Sequence, residues 1–234
     1  MKSLKKPLVE TATFGVHPKL GKLESIHFLT QTGKELLMRD LDIPETEIRH
    51  PIGRVSFAHD YFHRKATIDI HIQLVRFVVE NDLRLVCFDT YFDFTGNRRV
   101  GKDLVAKTAF PLENKELLVP DGVFMLENAW GLELYALEVY LGNDSGRVLR
   151  QLFKHATGLK DCKLSIQHNH SKAYRIVSIF EKESCLESVL RQAREEPIFD
   201  RTRANFLFKP LSEVLNNEVF TGWKNGAGNR AELF

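Results

Sequence analysis

Leu118-Val-Pro-Asp121-Gly-Val-Phe124 and Leu134-Tyr-Ala-Leu-Glu138-Val-Tyr140 are two apolar stretches, each with a carboxylate inside it. Both read as β-strands, over Leu117 to Leu126 and over Leu132 to Leu141, with Asn128-Ala-Trp-Gly131 as the turn between them. A carboxylate in an apolar strand costs free energy unless it is paired, hydrogen-bonded or holding a metal. If the strands are neighbours, Asp121 and Glu138 meet at one end of a sheet. Such a pair offers hard oxygen ligands to Mg²⁺ or Mn²⁺. Magnesium typically takes one or two protein carboxylates and completes its shell with water and phosphate oxygens. The plainer alternatives are that Asp121, ahead of Gly122, makes a turn, and that Glu138 points outward like Glu127 and Glu133 nearby.

Working outward, Val55 to Glu80 carries two periods. Ile68, Ile70, Ile72 and Leu74 alternate as in a strand, while Ile68, Ile72, Val75 and Val79 make a helical stripe. Length decides for a helix. Leu83 to Phe94 is rich in Val, Phe and Tyr and reads as a strand closed by Thr95-Gly-Asn97. Beyond the two acidic strands, Gly142-Asn-Asp-Ser145 opens a helix that Gly158 ends. Tyr174 to Phe180 is a strand, Ser184 to Glu195 a helix stopped before Pro197, and Asn205 to Phe208 a short strand. The Gly/Asn-rich tail from Thr221 is expected to be flexible apart from Trp223.

The order is helix, three strands, helix, strand, helix. It implies an antiparallel meander followed by a crossover, in an α/β (α+β) mixed sheet flanked by helices. Residues 1–52 read differently. They hold a turn at Pro18-Lys-Leu-Gly21, a strand over Leu23 to Leu29, a short helix capped by Thr30, and a linker with Pro44 and Pro51. The expected domains are therefore 1–52 and 53–234.

The 234 residues are 43% hydrophobic, enough for a packed core. No apolar run approaches the roughly 20 residues of a membrane span, and Met1-Lys-Ser-Leu-Lys-Lys6 is not followed by the apolar segment of a secretory signal. A soluble, cytoplasmic protein with no membrane insertion is expected. Three cysteines without a C-x-x-C argue against a disulfide framework or a cysteine zinc site. The net charge of +2 is too small for a protein that coats nucleic acid, so any DNA contact must be local. Candidate phosphate contacts are Arg98-Arg99-x-x-Lys102 after a strand end, and Arg147 and Arg150 on the helix. Arg147, Arg150, Gln151 and Lys154 recur at i, i+3, i+4 and i+7, on one helical face. Arg191 with Arg194, and Arg201 with Arg203, are further basic groups.

A helix, a meander with P-D in one strand and an acid in the next, and then helix, strand and helix resemble the PD-(D/E)xK nuclease superfamily. A closer resemblance is to the replication-relaxation proteins, among them the MobC-type relaxases of mobilisable plasmids. Phe28-Leu-Thr-x-x-Gly33-x-x-Leu36-Leu37, Phe57-Ala-His59, Pro120-Asp121-Gly-Val-Phe124 and Leu134-Tyr-Ala-Leu-Glu138-Val carry it, over roughly half the chain. The resemblance implies a restriction-endonuclease-like sheet preceded by a reduced winged-helix-like segment. It also implies a metal-dependent endonuclease that nicks DNA at a plasmid transfer origin, working with other mobilisation or coupling proteins. Asp121 and Glu138 would hold the metal.

The position of the superfamily's water-orienting lysine is Tyr140. Lys154, Gln151 or the Tyr140 hydroxyl is left to take that role. The same departure favours an alternative, a catalytically inactive DNA-binding accessory protein. His59 and His63, one turn apart, and Asp60 and Asp69 are possible contributors from the first long helix, whereas His168-Asn-His170 reads as a polar turn.

Overall fold

The computed structural model describes residues 7–45, 48, 51, 60–95, 104–216, 218–219 and 221–233. The chain divides into two compact units, residues 1–64 and 65–234.

In the first unit β1 (Val9–Ala12) pairs antiparallel with β4 (Ile26–Leu29), and β2 (Val16–His17) with β3 (Gly21–Lys22). Helix α1 (Gln31–Asp40) follows, with the Thr30 side chain accepting from the Gly33 N–H at 3.1 Å, the N-cap expected from the sequence.

Helix α2 (Tyr61–Glu80) carries the chain into the second unit. It is a helix, as its length implies, but the stripe it buries is Ala66, Ile70, Leu74 and Val78. Ile72, Val75 and Val79 are exposed. A meander comes next: β5 (Arg84–Thr90), β10 (Gly122–Asn128) and β11 (Gly131–Tyr140), paired antiparallel. Between β5 and β10 lie two small hairpins, β6 (Phe94–Thr95) with β7 (Val105–Ala106), and β8 (Phe110–Pro111) with β9 (Leu117–Leu118). The single strand expected over Leu117 to Leu126 is thus two strands. Pro120 separates them because it has no N–H to give a ladder.

Helix α3 (Ser145–Asp161) then crosses over and is followed by the short α4 (Lys163–Gln167). Asp144 caps α3, its side chain accepting from the Arg147 N–H at 2.9 Å. Gly158 does not end α3. It is buried inside the helix, where a Cβ would lie 2.9 Å from the Tyr174 hydroxyl and 3.1 Å from Phe110. Strand β12 (Arg175–Phe180) runs parallel to β11. Helix α5 (Glu183–Glu195) crosses to β13 (Phe206–Pro210), which is parallel to β12.

After α6 (Leu211–Leu215), the tail adds β14 (Trp223–Asn225) and β15 (Arg230–Ala231) antiparallel at the sheet's edge. The tail is not a loose end: Trp223 and Leu233 are each 1% exposed.

The seven strands stand in the order β15-β14-β13-β12-β11-β10-β5. This is a mixed sheet with helices, as the α/β reading expected. On one face α3 and α5 pack against Val123, Ala136, Ile176 and Phe206. On the other, α2 and Trp223 pack against Phe124, Leu137 and Val177. Among the described residues no helix is long and apolar enough to cross a membrane.

Candidate active site

Gly122 faces Leu137 at the last paired position of β10 and β11. Asp121 stands one residue before it and Glu138 one after, so the two acids are neighbours across adjacent strands. Side chains alternate along a strand. Ala136 and Val123 belong to the α3 side of the sheet, so Glu138 and Asp121, each two residues away, face that side too. The Asp121 carboxylate crosses the gap, its Oδ2 accepting from the Val139 N–H at 2.7 Å. The apolar runs hold the strands, and the two acids are the polar exceptions set side by side in them.

Glu138 is 3% exposed. Two residues one turn apart on α3 reach down to it. Gln151 Nε2 donates to Glu138 Oε1 at 3.1 Å, and His155 Nε2 lies 2.7 Å from the same oxygen. His155 is wholly buried, and burial pushes its imidazole down to about 3, against the upward pull of the Asp121 charge. A neutral imidazole with its proton on Nε2 donates to Glu138, and the Tyr174 hydroxyl lies 3.4 Å from both its Nδ1 and the His155 carbonyl. The network therefore runs Tyr174, His155, Glu138, with Gln151 as a second donor.

Two buried hydroxyls flank Glu138. Ser178 is its register partner on β12, and Tyr140 follows it by two on β11. Neither Ser178 Oγ nor the Tyr140 hydroxyl has a hydrogen-bond partner among the described residues. Burial, and then the charges of Glu138 and Asp121, hold the Tyr140 phenol well above its ordinary range, so it stays protonated. On the neighbouring strand Asp89 pairs with Val123 and so shares this face, and Lys107 Nζ lies 3.2 Å from its Oδ1.

The other candidates divide. Lys154 does not reach the acidic pair; its ammonium is paired with Glu116 on the loop before β9. Positions 151 and 154 share a broad face of α3, but only Gln151 is aimed at the sheet. Arg147 and Arg150 are exposed on the same helix. Arg98, Arg99, Lys102 and His59 lie outside the described residues. Asp69 is taken up by Lys65 one turn before it, at 2.7 Å, and His71 stacks on Phe88 with ring centroids 4.0 Å apart. His170 holds a turn, its ring nitrogens 2.9 and 3.0 Å from the carbonyls of Lys172 and Leu132. Sequence reasoning missed His155, Tyr174 and Ser178. The signal for His155 was its place one turn beyond Gln151, inside the apolar stripe of α3.

Neither family models, curated proteins nor solved structures match this chain.

Among the described residues no group of three or more His, Cys, Asp and Glu side chains comes together to hold a metal ion. The donor set that is present fits a small hard cation. It consists of two carboxylates on neighbouring strands, with buried hydroxyls beside them that have no hydrogen-bond partner among the described residues. Buried polar atoms of that kind mark a place for water or an ion, and Mg²⁺ keeps most of its waters.

Proposed function

We propose that residues 65–234 form a metal-dependent nuclease that nicks DNA. The observation that carries this reading is the cross-strand placement of Asp121 beside Glu138 on the α3 face. The order α2, antiparallel meander, α3 crossover and parallel β12 supports a restriction-endonuclease-like arrangement. The sequence resemblance supplies the more specific form, a relaxase acting at a plasmid transfer origin alongside other mobilisation proteins.

Asp121 and Glu138 would hold Mg²⁺ or Mn²⁺. Such an ion lowers the pKa of bound water and stabilises charge on a phosphodiester. The chain's own residues do the rest. Gln151 and His155 fix the Glu138 carboxylate, and Tyr174 fixes His155. Tyr140, protonated and buried, has a hydroxyl proton to donate and is a poor nucleophile. Gln151 and Tyr140 are the groups that remain to orient water, since Lys154 is paired elsewhere. Arg147 and Arg150, exposed one turn apart on α3, offer positive charge to the DNA backbone.

One observation favours a second reading, a DNA-binding accessory protein without catalysis. Glu138 is 3% exposed and bonded to two α3 side chains, an arrangement that also joins helix to sheet. The test is conversion of supercoiled plasmid, with and without a transfer origin, to open circles in Mg²⁺, Mn²⁺ or EDTA. The nuclease reading expects metal-dependent nicking that Asp121→Asn and Glu138→Gln abolish. Wild-type protein that binds DNA but never nicks it selects the accessory reading.

A further inference from the structure

Where α5 meets the C-terminal hairpin, Arg191, Arg194 and Lys224 line a pocket of about 240 Å³ together with Glu187, Leu190 and Gly228. Arg191 and Arg194, three apart on α5, share one helical face. Lys224 stands directly opposite Arg230 in the β14–β15 pair. Opposed residues in an antiparallel pair point to the same side, so two positive charges are held next to one another, which is unfavourable without an anion. Arg191, Arg194, Lys224 and Arg230 close no ion pair among the described residues, whereas nearby Arg203 pairs with Asp200 at 2.8 Å. Glu187 is the one carboxylate in the lining and also closes none.

The pocket is shaped as well as charged. Gly228 has φ +81°, and any Cβ there would fall on the Arg194 guanidinium. Glycine lets that guanidinium lie against the backbone of the loop. This limits its freedom before any ligand arrives, so less ordering is needed on binding. A planar guanidinium matches phosphate oxygens with two parallel donors, and an ammonium adds a point charge.

We propose that this pocket binds one backbone phosphate of a polynucleotide, at a distance from the acidic pair. The choice of polymer rests on the nuclease reading above, whereas the pocket's chemistry itself calls only for phosphate. Lys224 is in register with Phe208, Phe208 with Ser178, and Ser178 with Glu138. The two sites therefore share one row of the sheet, roughly 14 Å apart at three strand spacings. Helix α5 packs over β12 and β13 between them.

The test uses the full chain without divalent metal. A labelled short duplex is titrated by fluorescence anisotropy from 50 to 200 mM NaCl, with wild type and an Arg194→Gln/Lys224→Gln double variant. In a second arm, pyrophosphate is titrated by calorimetry. Loss of one phosphate contact should flatten the log–log salt slope by about 0.9, so the fall in affinity over that fourfold salt range shrinks about 3.5-fold. Pyrophosphate binding should fall in the same variant. Equal slopes and affinities for the two proteins on DNA overturn the proposal. So does a variant that loses pyrophosphate alone, which would make the pocket a site for a small phosphate ester. Nicking is scored separately. A changed slope in a protein that never nicks sinks the nuclease reading and leaves the pocket standing.

Discussion

Replacing Trp223 by Ala tests whether the last residues of the chain are part of the core. Trp223 is 1% exposed and packs with Leu74, Leu137, Ile179 and Val214. Its Nε1 donates to the Val219 carbonyl at 2.8 Å, and Lys209 Nζ lies 5.5 Å from its ring centre. Truncating a buried tryptophan costs about 3–5 kcal/mol. The carbonyl left without its donor adds ~1 kcal/mol. A loss of about 5 kcal/mol is a third or more of the roughly 5–15 kcal/mol that holds a domain folded. Trp223→Phe keeps most of the apolar area and forfeits chiefly the hydrogen bond, so it should lose only ~1–2 kcal/mol. The assay is equilibrium urea unfolding followed by far-ultraviolet circular dichroism. Tryptophan fluorescence is unsuitable, because the substitution leaves only Trp130, which is 83% exposed. If Trp223→Ala and a deletion of residues 221–234 each cost less than about 1 kcal/mol, the hairpin is peripheral and the packing argument fails.

Lys154→Met should change nicking less than about twofold, because the ammonium belongs to Glu116. That pairing holds the Glu116 carboxyl below its usual value, and its nuclear magnetic resonance titration should move up in the variant. A large loss of nicking with an unmoved Glu116 would return Lys154 to the site. His155 makes stability depend on acid. Its folded value of about 3 lies below the 6.5 of an ordinary imidazole, so the unfolded chain binds the extra proton between them, and stability falls as pH drops through that window. Between pH 7 and pH 4 the difference is about 3 kcal/mol. Urea midpoints for wild type should fall more steeply than for His155→Gln, and parallel curves would refute the neutral buried imidazole. Gly158→Ala gains ~1 kcal/mol of helix propensity and loses ~1–3 kcal/mol to overpacking against Tyr174 and Phe110. Both of those rings are fully buried, so a net loss is expected. A higher urea midpoint for the alanine variant would show that the contact relaxes freely.

Which features were legible in the sequence depends on whether the deciding physics is local. The caps at Thr30 and Asp144 are local, so the starts of α1 and α3 were readable. For α2, length gave the helix, but two apolar stripes compete for burial. The choice falls to Ala66, Ile70, Leu74 and Val78, which pack in one cluster with Phe88 and Phe124 of the sheet. No local pattern states that choice. Gly158 illustrates the same limit. Its local meaning is a helix stop, and its real role is to admit Tyr174, which lies 16 positions further on.

The tail shows the limit most plainly, because turn chemistry and disorder use the same residues. Asn225 Oδ1 accepts from the N–H groups of both Ala227 and Asn229 at 3.0 Å, and Gly228 takes a positive φ. The Gly/Asn run is thus a tight hairpin turn, and its order comes from Trp223 on one side and Leu233 on the other. The candidate site divides along the same line. Asp121 and Glu138 stood out because a carboxylate in an apolar strand is costly wherever it occurs. Gln151, Lys154 and His155 all lie on α3, and which of them meets the sheet depends on the helix's rotation. The buried stripe of Val148, Leu152, Ala156 and Leu159 sets that rotation. It turns His155 inward to Glu138 and leaves Lys154 at the rim with Glu116, so a neutral imidazole and not an ammonium stands beside Glu138.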